Sequence, residues 1–173
     1  MAIADDLRMI AQQERELAFA NFDEADAWQL GQFLREWGQT NRAPIAIDVR
    51  TFNRPLFFAA LPGSTPDNTD WIRRKCNVVD RYRRSSYAIG LEMKAKGATL
   101  EERYGLPLRD YAPYGGAFPI VLDKTGVIGS VTVSGLDQRE DHMLVVTALC
   151  TVLGLDAKEY RQDIILPMPP LTD

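Results

Sequence analysis

The chain has 173 residues, 46% hydrophobic and 25% charged, with a formal net charge of −4 and a pI near 5.1. That size suits a single domain burying about 70% of the surface exposed on unfolding, with no need of disulfides or a structural metal. The acidic balance argues against a dedicated nucleic-acid binder, and the longest apolar run, Met143 to Leu155, is too short for the ~20 residues of a membrane span.

Ala4 to about Phe19 reads as a helix, with Ile3, Leu7, Ile10, Glu14 and Leu17 on one largely apolar face. A second helix starts at Asp23, with Asp26 three residues on, carries Trp28, Leu30, Phe33, Leu34 and Trp37, and ends near Gly38. The period then changes to two. Ile45, Ile47 and Val49 alternate with Ala46, Asp48 and Arg50, predicting a strand with one polar face, and Leu56 to Leu61 reads as its well-buried hairpin partner. A turn-rich loop (62–68) precedes two helices, Thr69 to Arg84 and Ser85 to Lys96. Residues 97–116 read as one long irregular stretch, of the kind that is often functional or lies in an interface. Phe118 to Asp123 and Val127 to Ser134 predict a second hairpin, Asp137 to Leu153 a last helix, and the Pro-rich segment from about 163 an extended tail. Two hairpins separated by helices, in the order α-α-β-β-α-α-β-β-α, predict an α+β fold with helices packed on an antiparallel sheet.

Composition also excludes chemistry. One histidine, His142, rules out sites built on two or more imidazoles, and two distant cysteines, Cys76 and Cys150, read as small buried hydrophobes. No Walker A sequence, G-x-G-x-x-G or G-x-S-x-G is present. The first residues, Met1-Ala2-Ile3-Ala4-Asp5-Asp6, lack the basic and apolar regions of a signal peptide, so a cytoplasmic protein is expected.

Two segments carry candidate chemistry. On a helical projection of 71–84, Trp71, Ile72, Cys76, Val78, Val79 and Tyr82 share one side, with Arg73, Asn77, Asp80 and Arg84 opposite. Lys75 lands inside the apolar sector, where its ammonium needs a carboxylate partner, a route to water, or a ligand anion. The outward arginines suit a solvated face, a subunit contact or an anionic ligand. The second segment is Gly126 to Gly135, where Ser130, Thr132 and Ser134 form a hydroxyl row leading to the helix start that holds His142. A helix start favours anions. The row also reads as an edge or solvent face, and His142 as a structurally bonded imidazole.

Gly115-Gly116-Ala117-Phe118-Pro119 followed by Gly126-Val127-Ile128-Gly129-Ser130-Val131-Thr132-Val133-Ser134-Gly135 resembles the C-terminal signature of the GlcG/HbpS/PduO-like superfamily. Leu61-Pro62-Gly63-Ser64-Thr65-Pro66-Asp67-Asn68 and Arg73-Arg74-Lys75-Cys76-Asn77-Val78-Val79 resemble its small uncharacterised cytosolic branch. The likeness covers nearly the whole chain, 1–173, as one domain. It implies a profilin-like α/β/α arrangement, a homo-oligomer, and haem as a ligand of some relatives, while no haem-ligand motif carries over residue by residue.

The leading expectation is a non-enzymatic binder of a small anionic ligand, with Arg73, Arg74, Lys75, Ser130, Thr132, Ser134, Gly135 and His142 as binding residues. If that ligand is haem or another tetrapyrrole, His142 would be its axial ligand. The alternatives are a scaffold without ligand, and an enzyme using Lys75 or His142 as acid or base on a carboxylated substrate.

Overall fold

In the computed structural model, which describes residues 2–161, the first apolar stripe forms α1 (Ile3–Glu16). The helix stops three residues earlier than its periodicity predicts. Leu17 and Phe19 turn into the core, and Ala18–Phe19 becomes a short strand, β1. Helix α2 (Glu24–Thr40) starts where expected, because Asp23 accepts from the amides of Ala25 and Asp26 while Asp26 accepts from that of Asp23.

The two hairpins are β2 (Ala46–Thr51) with β3 (Arg54–Ala60), and β4 (Ala117–Leu122) with β5 (Gly126–Ser134). They join as one sheet in the order β1-β4-β5-β2-β3, antiparallel throughout except for the parallel contact of β1 with β4. Helix α3 (Pro66–Tyr82) covers one face, on β5, β4 and β2. Helices α2 and α6 (Gln138–Leu153) cover the other, around a core that includes Ile47, Val49, Phe118, Ile120, Val131 and Val133. Helix α4 (Ser86–Ala95), capped by Ser85, bridges α1, α3 and α6. The α+β, profilin-like three-layer expectation holds.

Four local expectations are corrected. Because β2 is central and covered on both faces, its polar side is not solvated: Asp48 is 1% exposed under α3. Conversely, β3 is the outermost strand and half-exposed, not the well-buried partner expected. Helix α3 begins one turn early, at Pro66, where a missing amide hydrogen costs nothing and Asn68 accepts from the Thr65 amide. A short helix, α5 (Leu100–Tyr104), interrupts the stretch read as irregular, with Thr99 as its N-cap and Gly105 left-handed at its end. A 3-10 turn follows α6 at Ala157–Tyr160. The tail expected from about 163 lies outside the described residues. Among those residues no helix is long and apolar enough to cross a membrane.

Candidate functional site

The inner face of α3 takes up most of the predicted binding residues. Lys75, 3% exposed, sends its Nζ to Asp141 Oδ2 at 2.9 Å and to the Val133 carbonyl at 3.1 Å. Asp141, on the first turn of α6 and 2% exposed, uses its other oxygen to accept from the Leu136 amide. Burial pushes the Asp141 carboxyl up, to about 6, against the lowering effect of Lys75. Gly116 makes room for this pair, since a Cβ there would stand 2.6 Å from Lys75 Nζ, at a φ of +130°. The lysine that the sequence leaves between a carboxylate and a ligand anion is held by a carboxylate.

The hydroxyl row follows the same logic. Ser130 and Thr132 are fully buried and meet Cys76 Sγ at 3.5 and 3.3 Å. Burial pushes the Cys76 thiol up, which keeps it protonated and unreactive. Beside them Arg50 holds Asp48 in a two-pronged pair at 2.6 and 2.7 Å. Ser134 is 4% exposed, with its carbonyl accepting from Asn68, and Gly135 is needed for close packing, as a Cβ would lie 2.4 Å from the Pro44 carbonyl. None of these residues lines an open cavity among the described pockets.

The outer residues of α3 fasten the loop after α5. Arg73 donates to the Arg109 carbonyl at 2.7 Å and pairs with Asp70 and Asp110. Arg74 stacks over the Trp71 ring at 4.0 Å, pairs with Asp70 and donates to the Leu108 carbonyl. Asn77 donates to the Asp110 carbonyl, and the Ala112 amide to the Arg74 carbonyl. The basic helix is therefore a fastening for residues 108–112.

That loop forms one wall of a groove of about 630 Å³ between α1, α4, α5 and the start of α6. Leu91, Met93 and Leu108 give it apolar surface, and Tyr87, Tyr111 and Tyr114 give it phenols. Lys94 and Arg139 supply positive charge, the latter held by Asp6 at 3.1 Å. Burial pushes the Tyr87 phenol up, so it stays protonated. The chain segments are close-packed here: a Cβ on Gly90 would meet the Pro113 carbonyl at 2.0 Å.

His142 stands behind this groove, 1% exposed, its ring tilted against Tyr87 and Phe118. Gln13 decides its tautomer. The Gln13 amide nitrogen donates to the Tyr160 carbonyl at 2.7 Å, so Gln13 Oε1 accepts at 2.8 Å from His142 Nε2–H. The proton therefore sits on Nε2, and Nδ1 is a buried acceptor without a hydrogen-bond partner among the described residues. Desolvation holds the imidazole neutral, down to about 3. A cleft of about 20 Å³, lined by His142, Tyr87 and Gln13 among others, separates it from the larger groove and has room for little more than one water.

Of the eight predicted residues, Lys75 reaches the α6 start through Asp141, while His142, the next residue of that helix, turns to Gln13 and Tyr87 instead. Tyr87, Lys94, Tyr111 and Tyr114 line the groove and are not among the eight; the long stretch 97–116 is a sequence signal for Tyr111 and Tyr114 alone.

A family model described as "Haem degrading protein HbpS-like" matches residues 22–150. A UPF0303 protein of Paraburkholderia phymatum is 57% identical over 156 residues, covering 90% of this chain and 94% of that relative. The Ybr137w protein crystal structure matches with a TM-score of 0.80 at 31% identity, over 86% of this chain and 87% of its own. The structure of a PduOC–haem complex shares the fold at a TM-score of 0.62 and 16% identity, over 75% of this chain and 93% of its own.

Proposed function

The chain belongs to the HbpS-like family, and on that premise we propose that it is a non-enzymatic, homo-oligomeric binder of a flat anionic ligand of the tetrapyrrole type. The observation that carries this reading is the α4–α5 groove. Its volume of about 630 Å³ falls within the range of small-molecule sites, and it joins apolar walls to phenols, Lys94, Glu101 and the Arg139–Asp6 pair. The walls would bury a planar ring system, and Lys94 would meet one of its carboxylates. The likeness to a protein solved with haem supports the ligand class.

The donor set tests the fit to haem. Haem would supply a Lewis-acidic iron, and phenol oxygens are among its known protein ligands, which makes Tyr111 and Tyr114 the residues suited to hold it, while Tyr87 stays protonated. His142 does not fit that role, because it lies behind Tyr87 with Nε2 committed to Gln13. Arg73, Arg74 and Asn77 take part indirectly, by fixing the loop that carries Leu108 and Tyr111. Acid-base catalysis by Lys75 or His142 gains no support, since both are at least 97% buried.

A haemin titration of the full chain, followed at the Soret band, tests the proposal. Wild type is expected to give a saturable one-to-one shift, kept in His142→Gln and weakened at least ten-fold in Leu108→Asp, which places a charge on an exposed part of the groove wall. A featureless wild-type response, or one indifferent to Leu108→Asp, overturns it.

A further inference from the structure

Strand β3 ends the sheet. One of its edges pairs with β2, and no strand lies along the other among the described residues. Edge strands are ordinarily blunted by charge, shortness or cover, because their free amides and carbonyls are a template for another chain. Here only the first two residues, Arg54 and Pro55, blunt the edge, and Leu56-Phe57-Phe58-Ala59-Ala60 follows without a charge.

Each face beside this edge carries an exposed aromatic side chain. Helix α2 runs alongside β3 in the same direction: Glu24 pairs with Arg54 at 2.8 Å, Trp28 meets the Phe57 ring edge-on at 5.6 Å, and Arg35 and Glu36 stand near Ala59 across a cleft of about 510 Å³. Trp28 is 60% exposed. On the opposite face Phe58, in register with Asp48, points to the side of α3, which packs on β5, β4 and β2 and leaves Phe58 49% exposed. These are the two most exposed large apolar side chains among the described residues.

We propose that β3 is a self-recognition edge, pairing antiparallel with the β3 of a second copy to join two five-stranded sheets into one. An edge template takes only an extended strand, and a two-fold axis presents each copy with one already formed. The charges suit a second copy. A two-fold near Phe57 sets the Glu24–Arg54 end of one copy against the Arg35–Glu36 end of the other, each end carrying one charge of each sign, so no like-charge contact is forced. The aromatic pair flanking the axis supplies the anchors that interfaces concentrate at their centre. Seven residues give an edge roughly 23 Å long. The proposal rests on the oligomeric part of the reading above and is independent of its ligand.

Sedimentation velocity of the full chain at 5 to 100 µM, at concentrations of roughly that order, separates the outcomes. Wild type is expected at twice its 19.5 kDa or more, and Trp28→Glu/Phe58→Glu at no more than half the wild-type mass with an unchanged circular dichroism spectrum. Should the double variant misfold, Phe58→Glu alone, at an exposed position, carries the same expectation. A monomeric wild type overturns the oligomer and the edge together. An assembly that survives both variants overturns the edge alone.

Discussion

The space under α3 and the groove in front of α4 both mix polar groups with apolar ones, and they end in opposite states. Under α3 the polar atoms are spent on one another: Lys75 on Asp141 and Val133, Arg50 on Asp48, Ser130 and Thr132 on Cys76. In the groove, the phenols and Lys94 border open space, and Arg139 alone of the cations is held, by Asp6. The difference teaches that a charge in the apolar sector of a helix is assigned by whatever packs against it. Here that is the start of α6, which meets Lys75 with a carboxylate before any ligand can.

The largest effect that would sharpen this contrast is on stability. Asp141→Ala leaves the Lys75 ammonium buried without a counter-charge and is expected to cost about 3–5 kcal/mol, read as a lower urea midpoint at an unchanged slope. Replacing both partners with apolar residues, Lys75→Met/Asp141→Leu, should restore wild-type stability or exceed it. A mild loss in the single variant, or a double variant no better than it, breaks the comparison.

A smaller effect concerns pH, where neighbours on α6 oppose each other. His142 is held neutral down to about 3, so between there and 6.5 the unfolded chain binds the extra proton and stability falls as pH falls. Asp141, raised to about 6, does the reverse: its contribution is present below its unfolded value of 3.8 and is lost as pH rises through 6. Urea midpoints of wild type and His142→Gln, compared from pH 6.5 to 4, should diverge by up to about 1.4 kcal/mol per pH unit, with the wild type losing ground in acid. Parallel curves would mean that His142 is not buried neutral. The smallest effect belongs to the groove: Lys94→Glu, on an exposed position, should move stability by less than about 0.5 kcal/mol while weakening haemin at least ten-fold.

What was legible in the sequence is what short-range chemistry encodes. The caps at Asp23 and Ser85, the existence of both hairpins and the inward placement of Lys75 all read correctly. The short helix α5 was readable too, since Thr99 and Glu102 form a capping pair with a left-handed Gly105 at the far end, yet the prolines and glycines around it dominated. Strand β1 was not readable: two residues are extended only because β4 pairs with them. The groove was not readable for the same reason on a larger scale. Asp141 lies 66 residues from Lys75, and Tyr87 and Lys94 join Tyr111 and Tyr114 only after α4 and the 105–113 loop have packed.

Gln13 has a consequence for how the molecule opens. Its side chain ties α1 to His142 and to the Tyr160 carbonyl, while the Tyr160 hydroxyl returns to Glu16 at 3.1 Å. Both α1 and the 157–160 turn lie outside the stretch 22–150 that matches the family. Neither can lift away without breaking the other's bonds, so their amides should exchange with solvent together, as one cooperative unit clasped onto the core.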